Sequence, residues 1–505
     1  MPSVIQPRRF YLLIASAVSF AAALPSSVIG QEADALRPHN AAISESSISG
    51  ISSGGFMAVQ FATAWSSIIK GVGVVAGGPY FCAQATAVDL MNAYMAPIMM
   101  ATGPCMVGPP SDLAHFIREA DEKAKSGDID PTSHLGIQKI YVFHGFNDSV
   151  VAESVTDATA KFYRHYLGEA VRGNLFYQTT VGAGHSQVLI KGRHAQGLNA
   201  CPANQSPYIN ECDYDQAGII LQHIYGALNP PNTGKLEGTL RSFPQAKYTS
   251  PDQPGALSMG DTGYLFVPKD CEPGKGIACR VHVALHGCNQ DVGDIGRRYV
   301  EDAGYNAWAD ANRIIVLYPQ TVSRPALGSP PSNPQGCWDW WSYVTHDDAY
   351  VTKSGRQIKA IKAMLDALAG GQKAERSGIG ASLAIERLAV IDRSDNAVDL
   401  AWTPVEAAKA YRVFRAGADG VFAQVGETTG LSYADDGLRP STSYRWRVAA
   451  LVGENEGPAS GVAVATTQPT PERCAKPGQC VVKEPQQSKP KERDGGELSA
   501  SRQAK

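Results

Sequence analysis

Gly50-Ile51-Ser52-Ser53-Gly54-Gly55 is the stretch that decides the interpretation of the chain, and Phe56-Met57-Ala58-Val59-Gln60-Phe61 follows it directly. The first five residues fit the pattern G-x-S-x-G, in which a serine occupies a sharp turn between a strand and a helix. Glycines two residues to either side are needed because a Cβ there would collide with the turn. Helically spaced apolar residues after Gly55 predict the helix, whose N-terminus favours negative charge beside Ser52.

The pentapeptide alone is a weak indicator, because 50 glycines in 505 residues produce chance matches and a Gly/Ser-rich loop is the simpler interpretation. A nucleophilic serine also needs a base and a group that orients the base. In α/β-hydrolases Ser, Asp and His follow in that order, each at a strand end. Asp148 lies just beyond a predicted strand at 137–143, and His185 just beyond one at 175–181. We therefore predict a triad of Ser52, Asp148 and His185, against the alternatives of a helix-capping aspartate and a loop histidine.

The composition is that of globular domains, and the N-terminal segment indicates export. The hydrophobic fraction of 44% and the charged fraction of 18% suit domains with real cores, and a net charge of −3 gives no reason to expect a nucleic-acid or membrane partner. Arg8 and Arg9 precede an apolar run at 10–24 and small residues near Gly30. This pattern predicts a cleaved signal peptide at 1–30 rather than a membrane anchor. A secreted monomer is expected, with the periplasm as the alternative location.

Ten cysteines agree with export, since an even number of cysteines in an exported chain indicates disulfides. The sequence does not determine their connectivity, so nearest-neighbour pairing is a working hypothesis. The pairs would be Cys82–Cys105, Cys201–Cys212, Cys271–Cys279, Cys288–Cys337 and Cys474–Cys480. No CxxC or CxxC…HxxxH pattern is present, and neither a metal nor another cofactor is expected.

An oxyanion hole requires two backbone amides. One should belong to Ser53, which follows the nucleophile, while the second normally comes from a loop that precedes the nucleophile in sequence. Too few residues lie between the signal peptide and the serine to supply that strand, and the best candidate, Val-Ala-Leu-His-Gly-Cys at 283–288, ends a predicted strand at 280–285. We therefore predict a circular permutation that brings the Cys288 amide to the nucleophile. The alternatives are that this His-Gly pair merely ends a strand, or that the pair at 144–145 supplies the loop.

The period of the apolar residues divides the chain into regions. Strands and helices alternate between 31 and 371, which indicates an α/β domain with a mostly parallel sheet, and a Gly/Ser/Lys-rich linker is predicted at 372–384. From 385 to 467 apolar residues recur at every second position, as in β-strands. Leu438–Tyr444 resembles the tyrosine corner of a β-sandwich, so this region resembles an all-β fibronectin type III domain. Residues 468–505 are polar, and we expect them to be disordered.

Four segments of the chain resemble one known family. They are SGISSGGFMA at 49–58, AGGPYFCA at 76–83, HVALHGCNQ at 282–290 and SNPQGCWDWW at 332–341. Together they resemble secreted poly(3-hydroxybutyrate) depolymerases of the type with a circularly permuted α/β-hydrolase domain.

The resemblance assigns roles to individual residues. It implies that Ser52 is the nucleophile, that Asp148 and His185 are its partners, and that the amides of Ser53 and Cys288 bind the oxyanion. It further implies that Trp338 lines the substrate crevice, with core packing as the alternative, and that a Cys288–Cys337 bridge fixes the oxyanion loop.

The function implied is that of an extracellular serine esterase which cleaves poly(3-hydroxybutyrate) or related short-chain polyesters to hydroxy acids and oligomers. A secreted carboxylesterase for soluble or plant-cell-wall esters is the first alternative. A non-catalytic adhesion protein is the second, and the intact triad disfavours it. The residues after 468 are too few and too polar for the dedicated polymer-binding domain that many such enzymes carry, so strong adsorption to crystalline polymer is not expected.

Overall fold

The computed structural model describes residues 35–83, 97–190, 197–324, 332–370, 385, 388–403, 405, 408–417, 420–452, 455–457 and 459–470. The chain forms two compact units, of which the first comprises Met1–Thr132, Gln138–His165 and Phe176–Ala374, and the second Ser133–Ile137, Tyr166–Leu175 and Glu375–Lys505. The predicted signal peptide, the linker at 372–384 and the pair Cys474–Cys480 lie outside the described residues. Among the helices that are described, none has the length and apolar character needed to cross a bilayer.

The first unit is built on an eight-stranded sheet. Its strands are β1 Ser46–Ile51, β2 Ile69–Val75, β3 Lys139–Phe143, β4 Leu175–Gln178, β8 Thr239–Pro244, β9 Thr262–Val267, β10 Arg280–Leu285 and β11 Ile314–Tyr318. They lie in the order β4-β3-β2-β1-β10-β11-β9-β8. Neighbours from β3 to β11 pair in parallel, whereas β9 pairs antiparallel with β11 and β8. This arrangement confirms the mostly parallel sheet. Three short strands, β5 Gln187–Leu189, β6 Asn199–Ala200 and β7 Ile209–Glu211, form a separate small sheet.

The described residues also form α-helices and 3-10 helices. The α-helices are Ser53–Ala64, Leu113–Ser126, Glu153–Leu167, Val171–Asn174, Gln216–Tyr225, Ala246–Thr249, Val292–Ile295, Arg298–Asp302, Tyr305–Asn312 and Arg356–Leu368. The 3-10 helices are Ile43–Glu45, Thr132–Ile137, Gly168–Ala170, Pro254–Leu257, Lys269–Cys271 and Asp348–Val351. Local signals fix several ends: Asp215 caps the helix that follows it by accepting from the Gly218 N–H at 3.0 Å.

The pairing of β1 with β10 joins the early and late segments of the chain. Gly50 lies opposite Leu285 in a parallel register, so strands far apart in sequence are neighbours at the centre of the sheet. Residues 239–318 therefore complete the sheet rather than form a separate domain. The strand order is that of an α/β-hydrolase whose first strands follow the nucleophile strand in sequence instead of preceding it, which confirms the circular permutation.

A buried polar network lies across this central pairing. The His282 ring has its Nδ1 2.7 Å from Ser47 Oγ and its Nε2 2.8 Å from Ser49 Oγ. The two serines in turn bond the hydroxyls of Tyr225 and Tyr305, each at 2.7 Å. Burial lowers the pKa of His282 to about 3, so its ring is neutral at neutral pH. A one-residue slip of the strands would leave these buried groups without partners, so the network specifies the register.

Among the described cysteines, four disulfides connect nearest neighbours in sequence, which confirms that part of the pairing hypothesis. They are Cys82–Cys105, Cys201–Cys212, Cys271–Cys279 and Cys288–Cys337.

The second unit contains a β-sandwich. Its strands are β12 Leu388–Arg393, β13 Val398–Trp402, β14 Ala410–Ala416, β15 Phe422–Thr428, β16 Ser432–Asp435, β17 Ser443–Val452, β18 Asn455–Glu456 and β19 Ala463–Thr466. One sheet has the order β12-β13-β16, and the other has β15-β14-β17-β18 with β19 also on β17. Trp402 and Trp446 are buried in the core between them. The Tyr444 hydroxyl accepts from the Arg439 N–H at 3.1 Å, which is the predicted tyrosine corner. The fibronectin type III fold is thereby confirmed, and the exact domain boundaries stay a prediction.

The neutral His282 predicts a specific pH dependence of stability. Its pKa is about 3 in the fold and 6.5 when exposed, so the unfolded chain binds more protons between these values. Its stabilising contribution should therefore be complete above pH 6.5 and should decrease as the pH falls toward 3. Denaturant unfolding at several pH values should show a steeper loss of unfolding free energy for the wild type than for His282→Gln. Parallel pH curves for the two proteins would contradict the role of this ring.

Candidate active site

Ser52 occupies a strained turn between β1 and the helix Ser53–Ala64. Its φ is 56° and its ψ is −125°, a conformation that residues with a Cβ rarely adopt. The Ser52 N–H donates to Val75 O at 2.9 Å, and the Ser52 carbonyl accepts from the Phe56 N–H at 3.0 Å. These contacts hold the serine at the tip of the turn, where it lines a cavity of about 430 Å³.

Two glycines of the pentapeptide are required by close backbone approach. A Cβ on Gly50 would lie 2.2 Å from Gly54 O, and a Cβ on Gly54 would lie 2.4 Å from His286 O. Neither distance is compatible with a side chain. The glycines therefore allow the start of the helix to pack directly against the carboxyl end of β10.

His185 and Asp148 form a nearly buried pair at the ends of their loops. The His185 Nδ1 lies 2.8 Å from Asp148 Oδ2, and Asp148 Oδ1 accepts from the N–H groups of Val150 and Val151 at 2.8 and 3.0 Å. Burial acts to raise the pKa of Asp148, but the attraction of His185 and these hydrogen bonds outweigh it, so the pKa lies below its ordinary value. The ionised carboxylate occupies the Nδ1 side of the ring, and Nε2 is the nitrogen left to accept a proton. His185 lines the same cavity as Ser52.

Asn204 connects the two loops that carry this pair, and the sequence analysis did not identify it. Its Oδ1 accepts from the backbone N–H of His185 at 2.7 Å and of Ser149 at 3.1 Å, while its Nδ2 donates to Asn147 O at 3.0 Å. The Cys201–Cys212 disulfide closes the loop in which Asn204 lies. An asparagine within a loop belongs to no recognisable motif, so only the structure could identify this contact.

The loop 286–290, called here the oxyanion loop after the role predicted for Cys288, passes beside the turn at Ser52, called here the nucleophile turn after the role predicted for that serine. A Cβ on Gly287 would lie 3.2 Å from the Ser52 Cβ, so the loop and the turn are in contact. The Cys288–Cys337 disulfide joins the loop to the segment 332–341, and both cysteines line the cavity. The structure therefore brings Cys288 to the nucleophile turn, although it lies far downstream in sequence.

The amides of Ser53 and Cys288 are available to a ligand. Within the described residues, neither N–H group donates a hydrogen bond to another part of the chain. The helix that begins at Ser53 adds the positive end of its dipole at the same place. Two such amides beside a serine hydroxyl are the donors that an oxyanion requires.

The cavity wall is predominantly apolar. Its apolar and aromatic lining includes Phe56, Met106, Val151, Tyr208, Trp340 and Trp341. Trp340 stacks on Phe56 with ring centroids 4.0 Å apart. No group of three or more metal-ligating side chains occurs in the part of the chain that is described.

The position of Trp338 corrects its predicted role. Trp338 is completely buried and does not line the cavity. Its indole N–H donates to His286 O at 3.0 Å, and its backbone N–H donates to Ser53 Oγ at 3.3 Å. Trp338 therefore packs behind the oxyanion loop, and the neighbouring Trp340 and Trp341 are the tryptophans that line the cavity.

The comparisons with known proteins agree on one family. No family model matches the chain. A poly(3-hydroxybutyrate) depolymerase of Delftia acidovorans is 38% identical over 424 residues, which cover 83% of this chain and 78% of that protein. A polyhydroxybutyrate depolymerase of Talaromyces funiculosus is 37% identical over 346 residues, which cover 67% and 94%. A solved PHB depolymerase complexed with an R3HB trimer is 34% identical, with a TM-score of 0.58, and the match covers 67% of this chain and 99% of that one.

The different positions of Trp338 and Trp340 predict different kinetic effects. Trp340→Ala removes part of the cavity wall and should raise KM for a soluble ester oligomer more than it changes kcat, because it removes uniform binding. Trp338→Phe removes the hydrogen bond to His286 O and should lower kcat by about tenfold at nearly constant KM, because it disturbs the oxyanion loop. Steady-state kinetics of both variants test this. A rise in KM for Trp338→Phe alone would restore Trp338 as the substrate contact.

Proposed function

The chain belongs to the poly(3-hydroxybutyrate) depolymerase family, and from this premise we propose that it is a secreted esterase that hydrolyses poly(3-hydroxybutyrate) or related short-chain polyesters through an acyl-enzyme on Ser52. Members of the family are carboxylic ester hydrolases, and this chain is one of them. One observation carries the mechanism. Ser52 lines a single cavity together with His185, whose Nδ1 is hydrogen-bonded to a buried, ionised Asp148.

The first half-reaction acylates the serine. His185 Nε2 takes the Ser52 proton while Oγ attacks the ester carbonyl carbon, and the carbonyl π electrons move to the oxygen. The amides of Ser53 and Cys288 receive that oxyanion, which their lack of acceptors among the described residues supports. Asp148 holds the imidazole tautomer and stabilises the imidazolium. Collapse of the intermediate expels the hydroxyl end of the leaving chain, which takes its proton from His185.

The second half-reaction returns the free enzyme. Water loses a proton to His185 and attacks the acyl carbon, and the tetrahedral intermediate expels Ser52 Oγ, which is reprotonated. The product is a hydroxy acid or an oligomer with a new carboxyl end. Together with one water molecule, the chain's own side chains and amides account for every proton and electron pair in these two half-reactions.

The lining of the cavity supports the proposed polyester substrate, and the disulfides support the proposed secretion. Phe56, Val151, Trp340 and Trp341 offer apolar area to an aliphatic polyester, while the Cys288 amide of the oxyanion loop offers a hydrogen-bond donor to an ester carbonyl group. A relative binds a trimer named R3HB. Four disulfides suit an oxidising compartment, as expected for a secreted enzyme.

The nucleophile assignment predicts the behaviour of Ser52→Ala. This variant should fold like the wild type and lose ester hydrolysis by several orders of magnitude in kcat, because no other group can form the acyl-enzyme. An organophosphonate should label Ser52 alone, which peptide mapping by mass spectrometry detects. Ser53→Ala is the comparison variant and should keep labelling at Ser52 and measurable turnover, since its backbone amide remains and it loses only the 3.3 Å hydrogen bond from the Trp338 N–H to its hydroxyl. Label on Ser53, or substantial turnover by Ser52→Ala, would reject the assignment.

The domain organisation predicts a separable role for the β-sandwich. We propose that 31–371 is catalytic and that the fibronectin type III domain at 385–467 acts on adsorption. A chain truncated after Gly371 should keep full activity on soluble esters and lose activity on polymer particles, where attachment raises the local concentration. The ratio of the two activities, measured for the full chain and for the truncated chain, tests this. A large loss on soluble ester would mean that the domain completes the active site, and an unchanged ratio would mean that it contributes nothing to adsorption.

A further inference from the structure

Gln290 connects the two sides of the active site through one buried carboxamide. Its side chain is almost completely buried, and it ends the oxyanion loop. We propose that Gln290 is a positioning residue that holds the oxyanion amide of Cys288 and the ring packed against His185 in a fixed mutual arrangement. The proposal rests on the proposed function, because it concerns the same reaction.

All three hydrogen bonds that the Gln290 carboxamide makes to the described residues go to backbone groups. Its Oε1 accepts from the Gly287 N–H at 2.7 Å. Its Nε2 donates to Pro207 O at 2.8 Å and to Tyr208 O at 3.1 Å. The amide thus offers one acceptor to one loop and two donors to another. No other natural side chain of this length presents the same set, since glutamate lacks the donors and methionine lacks both.

The hydrogen bond from the Gly287 N–H to Gln290 leaves the Cys288 N–H as the loop amide that is free to bind an oxyanion beside Ser52. Gln290 occupies the Gly287 N–H, and Gln335 O occupies the Asn289 N–H at 2.7 Å. Of these three consecutive loop amides, only that of Cys288 has no acceptor among the described residues. Because the amides on both sides are held, the orientation of the Cys288 peptide is fixed. Pre-orientation of this kind determines how well an oxyanion is stabilised.

The hydrogen bonds from Gln290 to Pro207 O and Tyr208 O connect it to His185, the proposed base, through the Tyr208 ring. Tyr208 has a φ of 56° and lines the cavity. Its ring packs edge-on against the His185 ring, with centroids 6.0 Å apart. The carbonyl groups that Gln290 holds belong to this strained segment. Loss of the carboxamide would therefore release the oxyanion loop and the support of His185 together.

The test compares Gln290→Glu and Gln290→Met with matched substitutions at Gln138. Gln138 is also completely buried, and its Nε2 also donates to two backbone carbonyls, Ala62 O at 3.0 Å and Ile69 O at 3.2 Å. It precedes β3, at the end of the sheet opposite the strand ends that carry the active site. Gln138→Glu and Gln138→Met therefore report what loss of a buried carboxamide does to stability alone.

With a small soluble ester, both Gln290 variants should lower kcat by about 10- to 100-fold with KM nearly unchanged, since misplaced catalytic groups cost rate rather than binding. Their affinity for a boronic acid, which forms a tetrahedral adduct with the serine, should fall by a similar factor. The Gln138 variants should keep the wild-type kcat per folded molecule. Folded Gln290 variants with wild-type kcat, or losses equal to those of the Gln138 variants, would overturn the proposal.

A measurement on the wild type covers the case in which the Gln290 variants do not fold. Residue-resolved hydrogen exchange should find the Gly287 amide protected in the free protein. The Cys288 amide should become protected only after phosphonylation of the serine. An exchanging Gly287 amide, or a Cys288 amide protected in both states, would reject the role of Gln290. Absence of phosphonylation would reject the proposed function instead, and the Gly287 result would still test the positioning contact.

Discussion

The parallel pairing of β1 with β10 is the contact on which the active site depends. It places the nucleophile turn and the oxyanion loop at adjacent strand ends, although the two strands are far apart in sequence. The buried network around His282 supports this register with hydrogen bonds that no other alignment would satisfy. The glycine at 54 then allows the elbow helix to touch the backbone of β10, and Trp338 packs behind the resulting junction. The position of the oxyanion loop beside Ser52 is therefore a consequence of the order of the strands in the sheet.

Two features shape the site: the strained backbone of Ser52, and hydrogen bonds from side-chain amides to the backbone of the surrounding loops. The positive φ of Ser52 exposes its hydroxyl, and two side-chain amides, the buried one of Gln290 and the half-buried one of Asn204, hold the loops around it. Asn204 holds the loops of Asp148 and His185, while Gln290 holds those of Gly287 and Tyr208. Such contacts replace regular secondary structure where strands end, because loop amides that are buried must find partners. The result is a cavity with a predominantly apolar wall, bounded by loops that side-chain hydrogen bonds hold together.

The sequence predicted what local patterns encode. The proposed triad was inferred from a pentapeptide and two strand ends, and it stays a prediction, whereas four disulfides inferred from nearest-neighbour spacing are confirmed. The permutation followed from the position of one His-Gly-Cys segment. The sequence did not predict which tryptophan of 338–341 lines the cavity, because four consecutive residues with three tryptophans leave the facing ring undetermined until the chain is packed. Asn204 and Gln290 were not identified either, since their partners lie in other loops and no spacing rule connects them.

The most direct measurement is the release of products from amorphous poly(3-hydroxybutyrate) particles in ¹⁸O-labelled water, followed by mass spectrometry of the soluble fraction. Wild-type protein should release 3-hydroxybutyrate and short oligomers, with one labelled oxygen in each new carboxyl group, and Ser52→Ala should release none. A wild-type protein that cleaves soluble esters but releases nothing from these particles would contradict polyester hydrolysis and would identify a carboxylesterase on the same fold.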